Sequence, residues 1–238
     1  MGLLDDLKKQ AEAAKLQDTG RLEVLAKNTA LAETAMRRAF KYLNDLVNQL
    51  NVLKPDCARS YELQTSGRLE GLKLVDFFVD YRSKKIGDKD HLDHIDLRFK
   101  CLNEQTLTVK KDSPMTIKSF VEYLHEHHIG HELREFKNEK RYVTHGEFKI
   151  PCVVRATATL KADGEHAQIH FLTRNVERFG SLDLTFDATE IDDNLMEEFA
   201  KFLIGQPNKF RSAGRSGAML PKMPPQVATA QGIWSVRS

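Results

Sequence analysis

The sequence predicts an α+β protein in which a long N-terminal helix precedes an antiparallel-sheet body and a C-terminal extended tail. The helix follows from small or apolar residues that recur at alternating intervals of three and four. The sheet follows from a change to alternating apolar and polar residues after Ser60. The tail follows from the loss of periodicity after Gly205, where Pro, Gly and Ser become frequent. These patterns divide the chain into a helical or coiled-coil region, a sheet domain and a basic tail: residues 1–54, 55–205 and 206–238.

The helical region opens with a piece at residues 3–16 whose apolar stripe is thin and whose charges are mixed. Membrane-surface helices carry a basic polar face and bulky apolar residues, so this piece disfavours peripheral membrane contact. Asp18, Thr19 and Gly20 then predict either a short break before the long helix or a weak kink within it.

The long helix carries an apolar ridge from Leu22 to Leu53, about 48 Å long at 1.5 Å per residue. It ends before Lys54-Pro55, because the residue preceding a proline disfavours the helical conformation. A ridge of this length needs a helix or a sheet to cover it, and we expect it to self-associate or to dock a partner. The candidate partner-binding residues on it are Leu22, Leu25, Met36, Leu43, Leu46 and Leu50.

Alternation next predicts strands over residues 75–81 and 95–101, with a tight turn near residues 103–104. A serine and a proline at residues 113–114 predict the start of a helix, and Gly130 its end.

The second half of the body repeats this order. Asp163-Gly164 predicts a hairpin, and a two-residue turn there pairs Leu160 with Ala167. A further strand precedes a last helix that ends at Gly205. The similar order suggests a duplicated ββββα unit near residues 60–130 and 131–205, although common patterning alone would produce similar agreement.

Composition excludes several classes of protein. The chain has no apolar run near the roughly 18 residues that span a membrane. Its first residues are acidic where a secretory signal would be basic. Cys57, Cys101 and Cys152 are odd in number and widely spaced, which favours a reducing cytoplasm over a disulfide framework. We therefore expect a cytoplasmic protein.

Charge is segregated along the chain. Residues 55–198 hold 21 Lys and Arg against 27 Asp and Glu, whereas residues 199–238 hold six bases and no acid. A basic tail beside an acidic body favours docking on an acidic surface of its own chain or of another. The candidate contacts are Lys209, Arg211, Arg215 and the single tryptophan, Trp234.

Four histidines around the end of the predicted helix invite a metal assignment, with His125, His128 and His131 as the candidate ligands. The H-E-x-x-H spacing of zinc proteases is absent, and histidines in a last helical turn also complement the helix dipole. We favour the dipole interpretation and predict no metal, cofactor or catalytic residue.

The expected function is therefore a non-catalytic cytoplasmic adaptor, scaffold or assembly factor that forms homo-oligomers or docks partners through its heptad helix. One alternative is a nucleic-acid-binding accessory protein that uses the tail and a basic sheet face. The bases of that face are Arg98, Lys100, Arg155, Lys161, His170 and Arg174. The second alternative is a metal- or ligand-binding enzyme at the histidine cluster.

Overall fold

In the computed structural model, which describes residues 2–86 and 89–216, a long first helix precedes an antiparallel-sheet body, as predicted. The helices are α1 (Leu3–Leu53), α2 (Pro114–Glu126), α3 (Asp193–Ile204) and α4 (Phe210–Ala213). The strands are β1 (Tyr61–Glu62), β2 (Arg68–Leu69), β3 (Lys73–Ile86), β4 (Lys89–Lys111), β5 (Glu132–Lys137), β6 (Val143–Asp163), β7 (Gln168–Arg174), β8 (Ser181–Asp187) and β9 (Arg215–Ser216).

Within the described residues, seven strands form one sheet in the order β3-β4-β6-β7-β8-β9, with β5 also paired to β6. The short strands β1 and β2 pair only with each other. Strands β4 and β6 are 23 and 21 residues long and form the centre of the sheet. Their pairing runs from His94 opposite Lys161 to Lys111 opposite Gly146.

The three longer helices cover one face of this sheet. Along β6 every second residue from Gly146 to Leu160 is buried, as expected for a strand with one covered face. Helix α1 packs across β3, β4 and β6. The other two helices contribute aromatic contacts to the same buried face, namely Phe120–Phe148 for α2 and Phe199–Phe171 for α3. The intervening residues of β6 are partly or fully exposed, and we call their side of the sheet the open face.

Three helix ends agree with the sequence. Helix α1 ends at Leu53, and Lys54 takes a left-handed conformation before the proline. At the start of α2, the Ser113 hydroxyl accepts a hydrogen bond from the backbone amide of Thr116. Gly205 ends α3 with a φ of 84°. Residues 18–20, where a break or kink was considered, lie within continuous helix.

The end of α2 differs from the prediction, because His128 and not Gly130 occupies the left-handed position, with a φ of 55°. The amide of His128 donates to the carbonyl of His125, and the amide of Ile129 donates to that of Leu124. These two bonds form a Schellman motif, in which the flanking apolar residues also pack together. Leu124 and Ile129 are both buried, so burial of Ile129 explains the earlier helix end.

The hairpin at Asp163 forms, but its register differs from the predicted one. Leu160 pairs with Phe171 instead of Ala167, which keeps both side chains on the predicted face. The turn has four residues because the Asp163 carboxylate accepts hydrogen bonds from the amides of Glu165 and His166.

The turn predicted at residues 103–104 is absent, because β4 continues through this stretch with a register shift between Leu102 and Thr106. The Asn103 side chain accepts from the amide of Gln105 and donates to the carbonyl of Glu70. These bonds satisfy the amide of Gln105 and the carbonyl of Glu70 where the pairing of β4 is irregular. Asn103, a residue type common in turns, therefore marks a bulge here.

The body extends beyond Gly205. Phe210, at the start of α4, is fully buried among the aromatic side chains of α3, β7 and β8. Strand β9 pairs with β8, so residues 206–216 pack on the sheet domain. The duplication stays a prediction: each half contains four strands and a helix in order, yet β1 and β2 lie outside the main sheet.

Candidate docking site at the base of the projecting helix

The apolar ridge of α1 has two parts with different surroundings. Met36 and Leu43 are fully buried and Leu50 is 5% exposed, all within the core that the helix forms with its own sheet. Leu46 is partly buried beside them. Met36, Leu43 and Leu50 are therefore covered within a single chain, and Leu46 is partly covered.

The other part of the ridge is exposed. Leu22 and Leu25 are 64% and 40% exposed, and the neighbouring Val24 is 58% exposed. In the part of the chain that the structure describes, Asn28 is the first α1 residue that hydrogen-bonds to the body, through its amide to the carbonyl of Glu165 at 2.6 Å. We call residues 3–27 the helix arm, which measures roughly 37 Å at 1.5 Å per residue.

At the base of the helix arm lies a cleft of about 930 Å³, which we call the arm groove. Helix α1 forms one wall, and the β3–β4 and β6–β7 hairpins form the other. Gly164 permits their close approach, because a Cβ there would lie 3.1 Å from the Thr29 hydroxyl oxygen. The groove is lined by Leu22, Leu25, Ala26, Thr29, Ala30, Ala32, Glu33, Lys84, Lys85, His91, Leu92, Asp93, Ala162, Gly164 and Glu165.

A carboxylate ties the two walls together. Glu33 Oε2 accepts a hydrogen bond from the backbone amide of Leu92 at 2.8 Å and lies 3.5 Å from His91 Nδ1. Glu33 Oε1 lies 2.5 Å from an Arg37 nitrogen, but in a geometry that makes no hydrogen bond. Glu33 Oε1 and His91 Nδ1 are thus buried polar atoms without a hydrogen-bond partner in the described structure. They give the apolar groove a polar end.

The first tail residues contact the chain's own acidic surface. Arg211 lies 3.0 Å from a Glu177 carboxylate oxygen. Arg215 lies 3.0 Å from both Asp187 and Glu190. Lys209 is exposed before α4, with its backbone amide bonded to Glu198. Trp234 lies outside the described residues.

The histidine cluster is only partly brought together. The rings of His125 and His131 lie 5.4 Å apart, whereas His128 is exposed at the left-handed end of α2. Among the described residues, no three His, Cys, Asp or Glu side chains are grouped closely enough to hold a metal ion. His125 lies in the last turn of α2, where a positive charge would complement the helix dipole.

Two further polar groupings could not be read from sequence spacing. His170 Nδ1 lies 2.9 Å from the Thr185 hydroxyl, but its Nε2 is 3.9 Å from Asp163, too far for the hydrogen bond of a catalytic triad. Asp163 instead contacts His166 at 2.8 Å. This grouping therefore lacks the geometry that activates a hydroxyl nucleophile.

The second grouping is a buried pair of thiols. The Cys101 thiol, in hydrogen-bond contact with Cys57, lowers the pKa of Cys57 to about 6, while burial acts in the opposite direction. The pKa of Cys101 is raised by this same contact and by burial. Tyr61 Oη lies 3.5 Å from Cys101 Sγ. Both thiols are free and buried.

Comparison with protein-family models, curated proteins and solved structures finds no match. None of the helices in the described part of the chain combines the length and apolar character needed to cross a bilayer.

Proposed function

We propose that this protein is a non-catalytic adaptor that self-associates, with the helix arm of one copy packed against the arm of a second. The observation that supports the proposal is the exposure of Leu22, Val24 and Leu25 on a helix that extends beyond its own body. Large apolar side chains that lie together on one exposed element mark an association surface more often than single exposed ones do.

Helix energetics favour a second copy. Helices in globular proteins obtain most of their stability from packing of an apolar face, and a solvated helix is marginal in water. Apolar side chains of residues 28–53 have that packing, whereas Leu22, Val24 and Leu25 of the helix arm are exposed in the single chain. Pairing of two arms would supply the missing contact and bury Leu22 and Leu25 together.

The charges beside these residues suit a partner of the same sequence. Arg21, Glu23 and Lys27 are exposed and alternate in sign. In an antiparallel pair of arms that crosses at Leu25, Glu23 of each arm would lie level with Lys27 of the other, at a modest gain for exposed pairs.

The other part of the adaptor hypothesis is binding of an acidic partner by the tail. Arg211 and Arg215 already pair with carboxylates of their own chain, and Trp234 lies outside the described residues, so self-association is the part proposed here.

Sedimentation of the full chain tests the proposal. We expect a mass of twice 27.2 kDa at micromolar concentration for the wild type. The variant Leu22→Glu with Leu25→Glu should sediment as a monomer, because two charges in the paired surface cost more than the association gains.

A matched control lies on the same helix. Val52 and Leu53 are 81% and 70% exposed at its other end, away from the helix arm. The variant Val52→Glu with Leu53→Glu should keep the wild-type mass. A monomeric wild type, or an L22E/L25E variant that keeps the oligomer mass, would contradict the proposal.

A further inference from the structure

The open face carries rows of side chains that the strand registers align. Lys100 on β4 lies opposite Arg155 on β6. One row further along, Arg98 lies opposite Thr157, which lies opposite Arg174 on β7. We call Arg98, Lys100, Arg155 and Arg174 the basic patch. Three members are exposed and Lys100 is partly exposed, so the patch faces solvent on three neighbouring strands.

The basic patch is incompletely neutralised. Lys100 Nζ lies 2.9 Å from an Asp76 carboxylate oxygen, and this is the ion pair that the patch makes within the described residues. Arg174 also donates a hydrogen bond to the backbone carbonyl of Glu126, the last residue of α2. Like charges directly opposite each other on neighbouring strands destabilise a sheet, as at Lys100 and Arg155. The strands therefore tolerate a positive charge that an anionic ligand would compensate.

A row of the open face that contains acidic residues borders the patch on one side. The next row of the open face holds Asp80 opposite Asp96, and further along it Leu172 lies opposite Asp183. The charges thus form stripes, with a basic stripe beside an acidic one. A polyanion would be confined to the basic stripe, because the acidic row repels it.

An exposed aromatic side chain lies at the β3 end of the same row. Phe78 is opposite Arg98, is 53% exposed, and has the Arg98 guanidinium 5.5 Å from its ring centroid. Single-stranded nucleic acids bind where a basic surface holds phosphates and aromatic rings or arginine planes stack on bases. Some proteins bind single-stranded RNA on the face of a sheet, where unpaired bases stack on its side chains.

We infer that the open face binds single-stranded nucleic acid, with the basic patch on the phosphates and Phe78 stacked on a base. Arg98, Lys100, Arg155 and Phe78 lie on the face of the sheet opposite the helix arm, so nucleic-acid binding there is independent of self-association through the arm. An acidic protein segment would satisfy the charges but would gain nothing from Phe78.

Fluorescence anisotropy with a labelled single-stranded oligonucleotide and the full chain tests the inference. The variant R98E/R155E/R174E should lose at least about tenfold in affinity at low salt. The slope of log affinity against log salt should become shallower by about 2, at roughly 0.7 per phosphate contact for single strands. Phe78→Ala should cost at least about fivefold without changing the salt slope.

The control variant K118E/K137E/K140E makes the same change of net charge at exposed positions outside the basic patch. It should bind the oligonucleotide with wild-type affinity. Because both variants keep the basic tail, any contribution of the tail is the same in the two and cancels in the comparison. If charge reversal perturbs folding, the neutral variant R98Q/R155Q/R174Q serves as a second test. Its affinity for the oligonucleotide should also fall below that of the wild type, but by a smaller factor.

Two results would overturn the inference. One is an affinity of the patch variant equal to that of the control variant. The other is binding of a polyglutamate as tight as that of the oligonucleotide, together with an unaffected Phe78→Ala variant, which would identify an acidic protein segment as the ligand.

Discussion

The Glu33 carboxylate accepts a hydrogen bond from the backbone amide of Leu92, and this bond joins α1 to the β3–β4 hairpin. The two residues are 59 positions apart in sequence. Their contact helps to hold α1 against the body next to the base of the helix arm, because it lies within the arm groove. We expect the bond to control how firmly the arm base is held.

Replacement of Glu33 tests this role. Glu33→Ala should lower the free energy of unfolding by about 1–3 kcal/mol, because the partly buried Leu92 amide loses its charged acceptor. Glu33→Gln keeps an acceptor oxygen and should lose less. Urea denaturation measures both variants, and equal losses would contradict a role for the hydrogen bond.

The difference in burial along α1 predicts that two of its leucines contribute very differently to the free energy of unfolding. Leu43→Ala should cost about 2–5 kcal/mol, because it leaves a cavity in the core. Leu53→Ala should change stability by less than about 0.5 kcal/mol, because that side chain is 70% exposed. Urea denaturation of the two variants checks the contrast, and similar losses would mean that the sheet does not cover the ridge as described.

A glycine near the end of the described chain should resist substitution. A Cβ on Gly214 would lie 2.8 Å from a Phe186 ring carbon and 2.9 Å from Leu184 Cβ. Gly214→Ala should therefore cost about 1–3 kcal/mol through overpacking where β9 meets β8. Gly130→Ala is the control, because a Cβ there meets no atom within 4 Å. An unchanged melting temperature for Gly214→Ala would show that β9 does not pack on the body.

The thiol pair predicts a pH dependence of stability. Because the pKa of Cys57 is lowered to about 6 by the hydrogen bond from Cys101, the folded chain loses that proton at a pH where the unfolded chain keeps it. Stability contributed by Cys57 should therefore rise with pH between about 6 and the unfolded thiol value near 8.5.

Cys101→Ala removes the hydrogen bond and should bring the pKa of Cys57 back toward that of an ordinary thiol. The rise of stability over this pH window should then disappear. Cys152→Ala, which changes a buried thiol elsewhere in the sheet, should keep the rise. Urea denaturation across the window measures all three proteins, and parallel curves for wild type and Cys101→Ala would refute the assignment.

Alternation identified which residues share a face, but not the register that pairs them. Leu160 and Ala158 lie on the buried face as predicted, while their partners are four residues further along than a two-residue turn allows. The hydrophobic pattern specifies only odd or even positions, whereas the length of the turn depends on the hydrogen bonds that Asp163 makes to it.

For the candidate sites, too, the sequence pattern identified which residues share a face but not what those residues contact. The heptad spacing predicted a ridge that needs cover, but periodicity cannot tell whether a sheet of the same chain or another molecule provides it. The bases of the open face followed from alternation along β4, β6 and β7. Phe78 was not associated with them, because a register shift in β3 between Val75 and Phe78, with Asp76 at a φ of 55°, changes its phase.

The order of the elements also has a consequence during translation. The ridge residues Met36 and Leu43 leave the ribosome first, but the strand β6 that helps to cover them ends only at Asp163. At typical elongation rates, the newly made helix stays uncovered for roughly 6–25 s before that strand is complete. The apolar ridge of a nascent chain therefore stays without its full cover until the second half of the protein has been synthesised.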